Sequence, residues 1–260
     1  MSPALPDLFD ALRETLGRTS LQDDAFGRLL LRLLRALAQV DEVVAFAYHE
    51  NDRPIDLFST FAPPHYHIFV SLYQAGPYLL DPFCRNAVDR HAGLYRMRDL
   101  APDRFYSSEY YRTYYVQTGL AEEVGYFVPL DGATVVLSLM RREASGAFSA
   151  SELAPLRQAE ALVADLVRLY WGNVAARFGA RAQMAVPSQP WQRLNLTDRE
   201  ASIVELVLQG HSSESIALRL GIATGTVKVH RRNVYRKLGI SSQTQLLSLY
   251  LTEKVALPTG

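Results

Sequence analysis

Basic side chains repeat over a short stretch near the C-terminal end of the chain, and their spacing suits the recognition of a polyanion. Lys228 and Arg232 are four residues apart and would share one face of a helix. Their donors could reach the acceptors of guanine in a DNA major groove. The other three cations, Arg231, Arg236 and Lys237, suit backbone phosphates. This pattern favours binding to double-stranded DNA.

Four short helices are predicted to position these cations, and cap signals mark the first two. Thr197 and Glu200 form a capping box at the start of the first helix. Ser212 or Ser213 can cap the second helix, and Gly221 supplies the left-handed turn that ends it. The chain then passes directly into the basic segment.

The third predicted helix carries the cations and begins near Thr224. Apolar residues recur on its inner side at intervals of three or four, as packing on a core requires. They are Val227, Val234 and Leu238. Ser242 and Gln245 form another capping box, which opens a fourth helix. A helix-turn-helix module typically has two helices joined by a glycine turn, of which the second is basic. The alternative interpretation is a solvated basic helix in an ordinary helical bundle.

The same stretch resembles the LuxR-type helix-turn-helix regulators without gaps. The matching pieces are 196–200, 216–217, 220–222, 225–230 and 236–240. The resemblance implies a four-helix domain whose third helix reads DNA, with Lys228, Val229 and Arg232 facing the bases and the fourth helix often contributing to a dimer. Together with the charge pattern, it predicts eight DNA-contacting residues: Thr224, Thr226, Lys228, Val229, Arg231, Arg232, Arg236 and Lys237.

Two positions differ from that family's usual pattern. Ala223 stands where a capping serine is usual, so Thr224 is expected to cap the third helix one residue late. Glu214 stands where a lysine often meets phosphate, and an acid there weakens such a contact.

Length and charge indicate two domains in this chain of 260 residues. We predict an N-terminal domain over 1–178, a proline-containing linker over 179–195 and the helix-turn-helix domain over 196–260. The net charge is +3 in 196–260 and −3 in 1–195, so the predicted DNA-binding part is the basic one.

Residue usage upstream of the linker disfavours several classes of function. Residues 1–195 contain no lysine, which argues against a P-loop, a pyridoxal enzyme and a phospho-accepting receiver domain. Cys84 is the only cysteine, and glycine-rich and nucleophile-elbow motifs are absent from the sequence. We therefore expect no enzymatic activity, no cofactor and no metal. Because no signal peptide or spanning segment is evident in the sequence, we also expect a cytoplasmic location without membrane contact.

The fold class is predicted to be α+β. The N-terminal domain should be an α/β/α sensor with an antiparallel sheet, similar to PAS or GAF domains, and the C-terminal domain all-α. Strands are expected over 43–49, 55–61, 124–130 and 133–140, the last two joined by a hairpin at Asp131-Gly132. Helices are expected over 5–17, 23–39, 64–75, 82–91 and 107–118. A long helix that begins at a capping box of Ser149 and Glu152 should follow and run to about Phe178. Glu122-Glu123 is expected to be a solvated turn.

Aromatic residues are concentrated between 66 and 127, which hold 14 of the 27 in the chain. Such residues can line a pocket for a small amphiphilic molecule, or they can form a plain aromatic core. The order of motifs over about 20–170 also resembles the autoinducer-binding domain of LuxR-type quorum sensors. That resemblance implies that Asp81 accepts a hydrogen bond from a ligand amide, although Asp before Pro is equally an ideal helix cap. The ligand-binding residues predicted are Tyr66, Phe69, Tyr73, Asp81, Tyr95 and Tyr114.

These observations predict a transcriptional regulator. Its N-terminal domain would sense a small molecule, such as a quorum-sensing signal, and control operator binding by a homodimer. Two alternatives are an N-terminal domain that dimerises without a ligand, and an effector enzyme tethered to DNA.

Overall fold

The computed structural model describes residues 9–10, 12–14, 17–18, 20–50, 52–113, 115–182 and 194–255. These form two compact units. The first unit takes its residues from 1–71, 83–100 and 119–184, and the second from 72–82, 101–118 and 185–260. Of the predicted linker, 183–193 lie outside the described residues, as do most of the helix predicted over 5–17. The predicted domain boundaries stay predictions.

Five strands form one sheet in the first unit. They are β1 (Glu42–Tyr48), β2 (Ile55–Ser59), β3 (Gly93–Arg96), β4 (Leu120–Leu130) and β5 (Ala133–Arg142). Their order is β2-β1-β5-β4-β3, and all neighbours are antiparallel. The two longest strands meet at the predicted hairpin, where Gly132 has a φ of +71°. The antiparallel sheet is therefore confirmed, with β3 as a strand that the sequence analysis missed.

Twelve helices lie in the described parts of the chain, besides short 3-10 turns and a π-helix over His67–Leu72. Those of the first half are α1 (Asp23–Leu37), α2 (Pro63–Tyr66), α3 (Pro82–Val88), α4 (Met97–Leu100) and α5 (Glu109–Thr113). The remainder are α6 (Ala150–Gln158), α7 (Glu160–Trp171), α8 (Ala175–Ala182), α9 (Asp198–Leu208), α10 (Ser213–Leu220), α11 (Thr224–Leu238) and α12 (Gln243–Val255).

Helices cover both faces of the sheet. Alternate residues of β1, such as Val43 and Ala45, join one core with the buried faces of α1, α6 and α7. On the opposite face, the ring of Phe83 from α3 meets Phe127 of β4 edge-on at 5.1 Å. A Cβ at Gly125 would lie 2.8 Å from that Phe83 ring, so a side chain there would force the helix away from the sheet. The first unit is thus the predicted α/β/α arrangement.

Two expectations about this unit were wrong. Glu122 and Glu123 lie in β4 rather than in a solvated turn, and Glu122 pairs with Arg96 and accepts a hydrogen bond from the Phe148 N–H at 2.7 Å. The long final helix is interrupted at Ala159 and again after Trp171, giving α6, α7 and α8. At the second break a Cβ on Gly172 would lie 2.3 Å from the Arg168 carbonyl oxygen, so the tight turn there depends on glycine.

A buried arginine fixes the end of β5 to the start of α6. Arg141 is only 3% exposed, and its guanidinium donates to the carbonyls of Gln39 and Ala147 and to the Glu152 carboxylate. Glu152 also completes the capping box with Ser149, as predicted. The hydrogen bonds from Arg141, and then those from Ser149, lower the pKa of Glu152 to about 2.

We expect Glu152→Gln to lower the free energy of unfolding by about 1 kcal/mol at pH 7, because it removes a charge-assisted contact at a helix start. The folded state holds the pKa of Glu152 well below its ordinary value of 4.5. The stabilisation is therefore complete above about pH 4.5 and is lost as the pH falls towards 2. Urea unfolding of both proteins between pH 7 and pH 3 measures the difference.

Asp165→Asn is the matched control, because Asp165 forms an exposed pair with Arg168 and its loss should change stability little at any pH. A difference between Glu152→Gln and the unsubstituted protein that stays constant over this pH range would contradict the assignment.

Candidate nucleic-acid interface and ligand site

The starts of α9 and α10 in the second unit follow their cap residues. Thr197 accepts from the Glu200 N–H, and Glu200 accepts from the Thr197 N–H, so the predicted capping box begins α9. Ser212, rather than Ser213, caps α10 by accepting from the Ser215 N–H at 3.1 Å. Gly221 ends α10 in the left-handed conformation, with a φ of +63°. These signals place a turn of three residues between α10 and the basic helix α11.

Helix α11 buries one side and exposes the other. Val227 and Val234 are fully buried, as predicted, and Leu238 is half-buried. On the opposite side, residues spaced by four, three and four form one exposed row, which we call the outer stripe. The outer stripe consists of Gly225, Val229, Arg232 and Arg236. Lys228 is exposed beside it, one turn from Arg232.

The outer stripe combines three kinds of group that suit a DNA groove. Arg232 and Arg236 present charged donors, and Val229 presents an apolar side chain that is 44% exposed. A Cβ at Gly225 would meet no atom within 4 Å, so the fold itself does not require glycine at this exposed position. Instead, its missing side chain leaves the backbone open to close approach.

The first turn of α11 differs from the expectation. Thr224 is the first helical residue, and Ala223 occupies the N-cap position without a side-chain hydrogen bond. The expectation that Thr224 caps the helix one residue late was therefore wrong. Thr224 is half-buried and Thr226 is exposed.

The remaining two predicted cations are less available than the outer stripe. Arg231 is half-buried. The Lys237 ammonium lies 3.0 Å from a carboxylate oxygen of Glu200, which ties the end of α11 to the start of α9. The hydrogen bond from the Thr197 backbone, aided by Lys237 and opposed by burial, lowers the pKa of Glu200. Glu200 thus serves both a capping box and an ion pair.

Of the predicted ligand residues, Tyr73 and Asp81 lie in the second unit and are in direct contact. The Tyr73 hydroxyl donates to an Asp81 carboxylate oxygen at 2.8 Å, and both residues are buried. Asp81 has an extended backbone and immediately precedes Pro82, the first residue of α3. This is the position that a helix cap occupies. Both roles predicted for Asp81 are compatible with that geometry.

Three other predicted ligand residues lie in the first unit. Phe69 stacks on Phe61 with ring centroids 4.2 Å apart, and Tyr95 meets Phe127 edge-on. The Tyr66 hydroxyl donates to Asp56, which raises the pKa of Tyr66 to about 12. The last predicted ligand residue, Tyr114, lies outside the described residues.

An aromatic cluster in the second unit surrounds Phe105, which is fully buried. The ring centroids of Tyr110, Tyr111 and Tyr115 lie between 5.6 and 6.0 Å from its own. The helix predicted over 107–118 starts two residues late, at Glu109, because the Ser108 hydroxyl accepts from the Tyr111 N–H and caps α5.

The sequence analysis did not single out Asp103 and Glu109 as partners of the helix-turn-helix segment, and it missed the ion pair of Glu200 with Lys237. Asp103 accepts from the Ser212 N–H, and Glu109 accepts from the Thr244 hydroxyl, each at 3.0 Å. One signal was present in the sequence: the third residue of α10 is Ser215, where a capping box carries Glu or Gln.

Across the part of the chain that the structure describes, the helices are all too short or too polar to cross a bilayer.

Comparison with known proteins agrees with this geometry. Residues 194–250 match the family model "Bacterial regulatory proteins, luxR family". A relative from Aeromonas salmonicida, "Putative HTH-type transcriptional regulator in exeN 3'region", is 34% identical over 182 residues, which are 65% of this chain and 91% of the relative. The transcriptional regulatory protein MctR of Rhizobium johnstonii is 37% identical over 65 residues, covering 25% of this chain and 30% of MctR.

Solved structures resemble the chain as well. The LBD domain of VqsR from Pseudomonas aeruginosa is 30% identical with a TM-score of 0.52, covering 62% of this chain and 94% of that one. SdiA of Escherichia coli is 21% identical with a TM-score of 0.41, over 96% of this chain and 100% of SdiA. The N-terminal domain resembles autoinducer-binding domains. With a relative matched along nearly its whole length and a helix-turn-helix segment of the family's type, the chain belongs to the LuxR family of bacterial regulatory proteins and is a DNA-binding transcriptional regulator.

Proposed function

We propose that this regulator binds its operator as a homodimer through the outer stripe of α11, and that a small molecule held by the N-terminal domain controls that binding. The observation that carries the DNA-binding part is the outer stripe itself. Its cations are exposed, while the opposite side of α11 is buried through Val227 and Val234. A helix held this way can enter a major groove without unfolding any part of its own domain.

Within the outer stripe, the residues have different tasks. Arg232, with Lys228 one turn away, donates to guanine, and Val229 packs against a thymine methyl group. Arg236, further along the helix, binds a backbone phosphate, as do Arg231 and the two threonines of the first turn. Lys237 is held by Glu200, so its main contribution is to fix the end of α11 and only secondarily to attract phosphate. In a homodimer, two such helices would read half-sites about one helical turn apart.

Arg232→Ala should cost about 1 to 3 kcal/mol of binding at one base pair and relax selectivity at that position only, because a base contact is lost. Selection of sites from a random duplex library by both proteins gives the base preference at each position.

Arg236→Ala is the matched control, since it removes an equal charge from the same stripe. We expect it to weaken all sites alike and to reduce the slope of log K against log salt by about 1, with selectivity retained. Identical base preferences for Arg232→Ala and the unsubstituted protein would refute base reading by Arg232.

The small-molecule part of the proposal is supported by the Tyr73–Asp81 pair and by the resemblance to the VqsR LBD domain. A buried carboxylate beside a tyrosine hydroxyl suits a ligand with an amide next to an apolar chain. The competing function, a dimerisation domain without ligand, is favoured by the packing of aromatic rings around Phe105, which a plain core would also adopt.

Native mass spectrometry of the purified full chain is expected to detect a bound small molecule. Asp81→Asn should then lower its retention at least tenfold, because the amide cannot replace the charge. Thermal stability should change little, because Asn caps helices as well as Asp and can still accept from Tyr73. No adduct on the unsubstituted protein favours the dimerisation domain, and equal retention by Asp81→Asn limits Asp81 to the helix cap.

A further inference from the structure

The capping boxes at the starts of α6 and α9 show what is unusual about the start of α10. In α6 and α9 the third helical residue is a glutamate that accepts from the N-cap backbone N–H, at 2.9 Å for Ser149 and 3.0 Å for Thr197. In α10 the third residue is Ser215, whose side chain is too short for that reach and bonds to the His211 ring at 2.9 Å. The N–H of the N-cap residue Ser212 therefore needs an acceptor from elsewhere.

Asp103 supplies that acceptor from 109 residues earlier in the chain, within the same compact unit. Its carboxylate oxygen lies 3.0 Å from the Ser212 nitrogen. Burial raises the pKa of Asp103, but the hydrogen bonds from Ser212 outweigh it, so the pKa stays below its usual value and the acceptor is ionised. Asp103 thus completes, from a distant segment, the capping box that the local sequence leaves half-formed.

Further contacts hold this segment, residues 103–109, against the helix-turn-helix. The Arg104 N–H donates to the Gly210 carbonyl at 2.9 Å. Gly210 has a φ of +93°, and a Cβ there would lie 2.7 Å from the Phe105 Cα, so the two backbones approach as closely as glycine permits. At its other end, Glu109 accepts from Thr244 near the start of α12. The 103–109 segment therefore spans the starts of both α10 and α12.

We propose that Asp103 is a positioning residue for DNA binding, because its carboxylate completes the cap of α10 and α10 supports the start of α11. Helix α10 reaches α11 through only three residues, and the Ile222 N–H bonds back to the Ala217 carbonyl of α10 at 3.0 Å. A frayed α10 therefore removes the support of the α11 start. The inference needs DNA binding by the outer stripe but not ligand sensing.

The same segment carries Phe105, the centre of the aromatic cluster. Phe105 directly follows Arg104, which bonds Gly210, and lies two residues after Asp103, which bonds Ser212, so the aromatic cluster and these two contacts belong to one short segment.

The test compares four variants of the full chain: Asp103→Ala, Asp103→Asn, Ser215→Gln and the double variant Asp103→Ala with Ser215→Gln. Hydrogen exchange of residues 213–217 reports the start of α10 directly, and fluorescence anisotropy with a duplex selected by the unsubstituted protein reports DNA binding. Asp103→Ala should speed exchange and weaken binding, each about fivefold, the factor expected for one cap hydrogen bond.

Asp103→Asn should behave like the unsubstituted protein, because its amide oxygen can still accept from Ser212. Ser215→Gln should restore both readouts in the Asp103→Ala background, because glutamine at this position closes the capping box locally without adding charge. Ser215→Gln alone controls for loss of the His211 contact.

Unchanged exchange at 213–217 in Asp103→Ala overturns the proposal, as does failure of Ser215→Gln to restore DNA binding once exchange is restored. If selection with the unsubstituted protein yields no binding duplex while exchange responds as expected, the proposed role of the outer stripe is wrong and the helix-cap assignment stands.

Discussion

The first backbone N–H groups of a helix have no acceptor inside the helix and must find one elsewhere. This requirement organises the DNA-binding unit. Thr197 and Glu200 meet it for α9 with neighbouring residues, and Glu200 then also holds Lys237 at the end of α11. For α10, Asp103 meets it from a distant segment. The position of the exposed cations on α11 therefore depends on hydrogen bonds made at the starts of other helices.

Much of the fold could be predicted because its signals are local. The capping box at Ser149, the Asp131-Gly132 hairpin and the apolar alternation of the long strands each lie within a few residues of the structure that they specify. The misses have physical causes. Strand β3 has only four residues, too few for a periodic pattern, and its edge position is decided by pairing with β4. A glutamate such as Glu122 is expected in an exposed turn when only the sequence is known. In the fold it is buried because it pairs with Arg96.

The exposed face of α11 was predicted more completely than the contacts of the predicted ligand residues. Helical periodicity alone places Val229 and Arg232 opposite Val227, and the exposure of these residues agrees with it. The ion pair of Lys237 joins residues 37 apart, which no local pattern encodes. The predicted ligand residues are different, because a pocket and a packed core have the same aromatic composition. The sequence therefore could not predict that Tyr73 and Asp81 form a hydrogen-bonded pair.

Because Asp103 caps α10, the border of the DNA-binding module drawn from sequence differs from its physical border. A fragment cut out at residue 194, where the family match begins, would keep all four helices but leave the Ser212 N–H without its carboxylate and Gly210 without the Arg104 backbone. In such a fragment the start of α10 would be less stable than in the full chain. Its affinity for DNA would therefore be that of α11 without the contacts that support α10.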